Sequence, residues 1–66
     1  MKTYEIRIIR KGAGAFVYGT SHASDYAAIR RAKALAEDGD IVEVWYGLNC
    51  IFTEAPAHLG LGRRAS

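Results

Sequence analysis

The sequence has very little cysteine and proline: its 66 residues include one of each, Cys50 and Pro56. A single cysteine excludes an intrachain disulfide, and with it the cysteine-bridged secreted mini-proteins, so a reducing, cytoplasmic compartment is favoured. The two histidines, His22 and His58, lie far apart without a second cysteine, so no zinc-ligand spacing is present. A domain this small buries only about 60% of its unfolded surface. We therefore expect a well-packed core, self-association or a partner to stabilise it.

Neither sign of charge predominates, and long apolar runs are missing. Nine Lys and Arg residues against seven Asp and Glu give a net charge of +2, well short of what strong nucleic-acid binders usually show. No apolar segment approaches the ~18 residues that a membrane span requires. The segment from Met1 to Glu5 enters a patterned strand directly, unlike a signal peptide. These features predict a soluble cytoplasmic protein without a membrane partner.

Apolar and polar residues alternate along four segments, which predicts four strands. The predicted strands cover 3–10, 15–21, 41–46 and 48–53. Glycines between paired segments supply the positive φ angles of tight turns, so the strands form two hairpins. For the second hairpin the pattern allows a turn at Tyr46-Gly47 or at Gly47-Leu48. This choice decides which face each side chain of the last strand occupies.

A single amphipathic helix is predicted between the hairpins. Ser24 is a suitable N-cap, because its hydroxyl can accept from an orphan amide of the first turn. Gly39 suits the left-handed position after a helix that ends at Glu37 or Asp38. The apolar stripe of this helix consists of Ala28, Ile29, Ala32, Leu35 and Ala36.

The order of elements predicts an α+β fold, a two-layer ββαββ domain over residues 1–54. A right-handed crossover from the second strand to the third, passing over the first, gives a four-stranded antiparallel sheet of order 2-1-3-4 with the helix on one face. Residues 55–66 are predicted to form a basic, glycine-containing C-terminal tail, for which Leu59 and Leu61 are candidate docking residues.

The chemically interesting residues do not combine into an active site. Gly12-Ala13-Gly14 lacks the helix start and the Lys-Ser pair of a phosphate-binding loop, which favours a hairpin turn. The pattern places no histidine beside Cys50, which favours a small apolar role. Glu37, Asp38 and Asp40 do not have calcium-loop spacing. We interpret them as a solvated turn, with an acidic patch for a basic partner as the alternative. The sequence predicts no enzyme, no cofactor and no metal.

The sheet face away from the helix is predicted to be more apolar than a solvated face usually is. Residues predicted to face the helix are Tyr4, Ile6, Ile8, Phe16, Tyr18, Val42 and Val44. Those predicted to face away are Arg7, Ile9, Val17, Ile41, Glu43 and Trp45. Tryptophan and arginine are enriched at binding hot spots, and exposed apolar patches mark contacts. The tail, a symmetric dimer and a heterologous partner are the candidate occupants, and either outer strand could also pair across a two-fold axis.

Six residues are the predicted partner contacts. They are Arg7 and Trp45 on this face, Arg10 and Lys11 at the first hairpin tip, and Arg30 and Arg31 on the helix. Aromatic residues beside basic ones on a sheet also fit base stacking, but acidic residues interrupt the basic field. We expect a protein partner, with weak nucleic-acid binding as the alternative, and either a monomer or a homodimer.

The segment over residues 24–52 resembles a group of small uncharacterised alphaproteobacterial ββαββ proteins. The resemblance is carried by Asp25-Tyr26-Ala27-Ala28, the alanine-rich helix that follows it, and Val42-Glu43-Val44-Trp45-Tyr46-Gly47. It implies their fold and no particular activity. The chain departs from their pattern at Tyr46, where an acidic or polar residue is common, and in the tail after Pro56.

In length and element order the chain is also similar to several phage-encoded anti-CRISPR proteins, which occlude a surface of a CRISPR effector complex without catalysis. Fold order alone transfers no site residue. This resemblance implies a non-enzymatic macromolecule-binding protein, a phage or mobile-element inhibitor. A small nucleic-acid-binding or host regulatory protein is the alternative.

Overall fold

Two β-hairpins and one helix make up residues 1–56 of the computed structural model, the part of the chain that the structure describes. The elements are β1 (Lys2–Arg10), β2 (Gly14–His22), α1 (Asp25–Leu35), β3 (Ile41–Tyr46) and β4 (Asn49–Glu54). Every strand pairing is antiparallel and the sheet order is β2-β1-β3-β4, which confirms the predicted fold class and topology. Leu59 and Leu61, predicted to dock the tail, lie outside the described residues.

The core lies between α1 and the two central strands, β1 and β3. Its buried members, all at most 3% exposed, are Tyr4, Ile6, Ile8, Ala28, Ala32, Val42 and Val44. The small side chains of Ala28 and Ala32 allow the helix backbone to lie close to the sheet, and Ile29 and Leu35 pack around them. The helix begins as predicted, since the Ser24 hydroxyl accepts the Ala27 amide at 3.2 Å.

The outer strand β2 contributes no residue to the buried core, although α1 also contacts it. Tyr18 pairs with Ile6 and Phe16 pairs with Ile8, so both aromatic side chains lie on the helix side of the sheet, as predicted. They are nevertheless 36% (Phe16) and 40% (Tyr18) exposed, because α1 packs its buried residues against the central strands.

The helix ends at Leu35, earlier than the predicted end at Glu37 or Asp38. The cause is a side chain: the Asp40 carboxylate accepts the backbone N–H of Glu37 at 2.8 Å, so this amide is not part of the helical hydrogen-bond pattern. Gly39 has the expected positive φ of 92°. It occupies a turn closed by the Asp40 amide and the Glu37 carbonyl, 3.0 Å apart, rather than the position after the helix.

The turn of the second hairpin is Gly47-Leu48, because Tyr46 pairs with Asn49. Gly47 adopts a φ of 62°, a left-handed conformation that glycine reaches at little cost. This settles the register that the sequence left open.

The strand β4 contains a bulge beside this turn. Val44 pairs with Phe52, whereas the next residue, Trp45, pairs with Cys50. Ile51 is therefore the additional residue of β4. As a result Ile51 and Phe52, although neighbours in the chain, both pack against the core.

Candidate binding surface on the open face of the sheet

The open face is the side of the sheet opposite α1. Its central positions alternate with the core residues along β1 and β3, and are Glu5, Arg7, Ile9, Ile41, Glu43 and Trp45. Val17 of β2 lies beside Arg7 on the same face. All six residues predicted for this face therefore lie on it. Within residues 1–56, the only helix packs against the other side of the sheet.

Four of these side chains form what we call the Arg7–Trp45 cluster, consisting of Glu5, Arg7, Glu43 and Trp45. The Arg7 guanidinium lies over the Trp45 ring, 4.6 Å from its centroid, and its Nε donates to the Glu5 carboxylate. The Trp45 indole N–H donates to Glu43 Oε1 at 2.9 Å, and Arg7 lies 3.9 Å from the same oxygen. The indole N–H and the guanidinium Nε–H thus each donate to a carboxylate on the same face of the sheet.

This mutual bonding fixes the orientation of the cluster. Arginine normally loses considerable rotamer entropy when a partner immobilises it, and side chains already held in place lose less. The cluster carries one positive and two negative side chains, Arg7 against Glu5 and Glu43. Its chemistry is that of a pre-organised, slightly acidic aromatic surface.

An apolar area adjoins the cluster at the end of β1 near the first hairpin turn. Ile9 pairs with Ile41 across the central strands, and both are half-buried. Val17, 60% exposed, lies across from Arg7. The open face therefore has an aliphatic half and a charged, aromatic half, as the cores and rims of protein interfaces do.

The structure places Arg10 away from the open face. Arg10 has the same strand parity as Ile8, so it points to the helix side, where its guanidinium binds Asp40 with contacts of 3.0 and 2.8 Å. It also lies over the Phe16 ring at 5.1 Å. Lys11 follows in the exposed turn. Arg10 thus connects the first hairpin to the segment after the helix.

The acidic segment after the helix is only partly the solvated turn that the sequence suggested. Glu37 and Asp38 are exposed, whereas the Asp40 side chain is 2% exposed. Hydrogen bonds from Arg10 and from the Glu37 amide hold the pKa of Asp40 below its ordinary value. The same bond to Asp40 raises the pKa of Arg10. The interpretation as solvent-exposed charge was wrong for Asp40, because Arg10 and the Glu37 amide offer it partners inside the fold.

Arg30 and Arg31 lie on the helical layer, on the other side of the molecule from the open face. Both are exposed, and together with His22, Ala27 and Ala34 they line a shallow hollow of about 360 Å³. The six predicted contacts therefore divide into three places: the open face, the hairpin tip and the helix. One flat partner surface on the open face cannot reach the helix pair.

A buried polar contact escaped the sequence reasoning. The Tyr4 hydroxyl donates to Asp25 Oδ1 at 2.6 Å, below the start of the helix. This hydrogen bond, followed by burial, raises the pKa of Tyr4 to about 12. A signal was present, because a tyrosine at a core position needs a partner for its hydroxyl. A tyrosine that ionises only in strong alkali is not suited to proton transfer near neutral pH.

The described residues bring together few groups with chemical reactivity. Residues 1–56 contain no group of three or more metal-ligating side chains. Cys50 is exposed on the open side of β4, and its thiol donates to the Phe52 carbonyl at 3.4 Å. In the same part of the chain, no helix is long and apolar enough to cross a bilayer.

Comparisons with protein-family models, with curated proteins and with solved structures found no match to this chain. The fold class is α+β: the elements follow the order ββαββ, and the helix lies on one face of a four-stranded sheet.

Proposed function

We propose that this chain is a non-enzymatic binding protein that contacts a protein partner through the open face of its sheet. The observation that carries the proposal is the Arg7–Trp45 cluster, in which the two hot-spot residue types are stacked and oriented by carboxylates. The aliphatic residues beside it provide the apolar contact area that a protein interface needs.

The charge of the open face supports a protein rather than a nucleic acid as the partner. Phosphate backbones are bound by Lys and Arg that outnumber the acidic groups around them. On this face Arg7 is flanked by Glu5 and Glu43, whose carboxylates would repel phosphates and already occupy its guanidinium. Trp45 could stack a base, but Arg7, the cation beside it, is already paired with Glu5 and Glu43.

Inhibition by occlusion is the specific form of this proposal, as the architectural similarity to anti-CRISPR proteins implies. A sheet face without catalytic groups acts by occupying a surface, so inhibition should be stoichiometric. Expression of the chain in bacteria with an active CRISPR system should restore transformation by a targeted plasmid. If the transformation efficiency of the targeted plasmid, relative to that of an untargeted plasmid, is the same with and without the chain, that form of the proposal is wrong for the system tested.

Affinity capture tests the broader proposal. Tagged wild-type chain, Trp45→Ala and Tyr26→Ala are compared, since Tyr26 is an aromatic residue exposed on the helix. Loss of a hot-spot tryptophan typically weakens binding by roughly 30-fold or more. We expect the partner to be retained by wild type and by Tyr26→Ala but lost by Trp45→Ala. The proposal fails if folded Trp45→Ala keeps every partner.

The nucleic-acid alternative depends on a different surface, the hollow between His22, Arg30 and Arg31. A salt titration with nonspecific DNA tests it. We expect no binding at low salt. The alternative would be favoured instead by micromolar affinity that falls steeply with salt and is lost in a double variant carrying Arg30→Ala and Arg31→Ala.

A further inference from the structure

The two outer strands of the sheet differ in how well they are protected against another strand. Strand β2 has nine residues, contains no Lys, Arg, Asp, Glu or Pro, and pairs with β1 in one unbroken register. Strand β4 has six residues, a bulge at Ile51 and a charge at Glu54, and Pro56 follows it. Shortness, bulges, charges and proline are the usual protections of an edge, and β2 lacks all of them.

We propose that β2 pairs with β2 of a second copy of this chain, antiparallel across a two-fold axis. The two four-stranded sheets would then form one sheet of eight strands. An edge that pairs with its own copy must be self-complementary, because every contact occurs twice.

The sequence of β2 meets this requirement when its whole length overlaps. Full overlap places Gly14 opposite His22 of the second copy and Tyr18 opposite its own equivalent. Large residues then lie opposite small ones, with Phe16 across from Thr20 and Val17 across from Gly19. Side chains directly opposite each other in antiparallel strands are in contact.

The exposed flanks of β2 supply the packing. On the helix side Phe16 and Tyr18 remain partly exposed, and on the open side Val17 is exposed. In this register the two Tyr18 side chains lie across from each other with Phe16 diagonal to them, and on the open side the two Val17 side chains lie diagonally. This gain in contact is absent at β4, whose Ile51 and Phe52 already pack against the core.

Charges at the strand ends also favour a second copy. The basic residue Lys11 lies in the turn before Gly14, and Asp25 begins the helix after His22. An antiparallel two-fold arrangement brings the Lys11 end of one copy to the Asp25 end of the other.

A two-fold axis perpendicular to the sheet leaves both helices on one side and both open faces on the other. The dimer would thus present two Arg7–Trp45 clusters on a continuous surface. Pairing of β2 does not depend on the proposed function, because the strand edge and the open face are different surfaces.

Sedimentation equilibrium with charge complementation tests the inference. Wild-type chain should show a concentration-dependent dimer. Tyr18→Lys and Tyr18→Glu each place like charges across the axis and should weaken the dimer by roughly tenfold or more. An equimolar mixture of the two variants should recover it, because the unlike charges then lie opposite each other.

Matched variants of the other edge serve as the control. Thr53→Lys and Thr53→Glu change an exposed residue of β4 and should leave the dimer unchanged. Tyr18→Cys on a Cys50→Ser background should also form an intermolecular disulfide on mild oxidation, which checks the register if the charged variants fail to fold.

Four results would overturn the inference. If the wild-type chain is monomeric up to its highest soluble concentration, β2 does not pair with a second copy. An extended segment of another protein would then be the candidate partner of this edge. A dimer that both Tyr18 variants preserve, or one that Thr53→Lys dissolves, would place the contact elsewhere. A variant mixture that stays monomeric while wild type dimerises would contradict the two-fold pairing at Tyr18.

Discussion

The two faces of the sheet are made by the same alternating strands, yet only one of them is explained by folding. On the helix side, Ile6, Ile8 and Val44 are buried with the alanines of α1, and packing accounts for their identity. On the open side, Arg7 and Trp45 are partly exposed, stacked on each other and hydrogen-bonded to carboxylates. The difference teaches that the fold requires the first set, whereas we propose that contact with another molecule accounts for the second.

The largest loss of stability is expected from a substitution on the helix side of the sheet. A valine-to-alanine change on each side of the sheet gives the comparison. Val44→Ala removes a fully buried side chain and should cost about 2 to 3 kcal/mol of unfolding free energy. Val17→Ala, on the open side of the exposed strand, should change it by less than ~0.5 kcal/mol. Urea unfolding measures both. Equal losses would mean that the open face is as well packed as the core.

The second-largest loss of stability is expected on the helix side of the sheet at the end of β1, where Arg10 binds Asp40. Asp40→Asn should lower the thermal midpoint by about 10 °C, since Arg10 loses its charged partner. Asp38→Asn, at an exposed neighbour, is the control and should change little.

The pH dependence of this contact has a definite sign. The pKa of Asp40 is lowered in the fold from 3.8, so its stabilisation is present above that pH and is lost as the pH falls through the lower folded value. Acid titration of thermal stability should therefore show a drop below pH 3.8 in wild type, and a smaller drop in Asp40→Asn. Identical acid profiles of the two proteins would contradict the role of the ion pair.

An intermediate loss of stability is expected at high pH, where the Tyr4 hydroxyl ionises and loses its hydrogen bond to Asp25. Its raised pKa means that stabilisation is complete below pH 10 and is lost as the pH rises toward about 12. Ultraviolet titration should show a tyrosine ionisation near pH 12 that is absent in Tyr4→Phe. Tyr4→Phe should lower the thermal midpoint by only a few degrees, because the ring remains buried. A normal titration of every tyrosine would contradict the contact with Asp25.

Of the polar contacts, those of the Arg7–Trp45 cluster should contribute least to stability. Arg7→Gln breaks contacts between partly exposed charges, which are typically worth less than ~1 kcal/mol. Urea unfolding at low and high salt measures this, and salt should reduce the difference between variant and wild type. A loss as large as that of Val44→Ala would show that the cluster stabilises the fold, which would weaken its assignment to binding.

Much of the fold could be predicted because its signals are local. The hydroxyl of Ser24, the stripe around Ala28 and Ala32, and the alternation over 41–46 each indicate a structure within a few residues. The helix end could not be predicted, because it depends on Arg10 holding Asp40 across thirty positions. Gly47 fits either turn, and the choice was made by the pairing of Tyr46 with Asn49.

The candidate site was predictable to the same extent. Alternation placed Arg7 and Trp45 on one face correctly, but the stacking between them and the carboxylates that orient them depend on the side chains across the strands. Arg10 shares its parity with Ile6 and Ile8, so its position on the helix side could have been read from the sequence. Its partner could not, since Asp40 reaches it only after the chain has folded.

The central claim is that a partner covers the open face, and Trp45 is the only tryptophan of the chain. Chain labelled with 5-fluorotryptophan should give one fluorine resonance, which reports this face alone. We predict that the resonance shifts or broadens when the protein captured by the wild-type chain is added, and that Tyr26→Ala behaves in the same way. A complex that forms while the resonance stays unchanged would contradict the account.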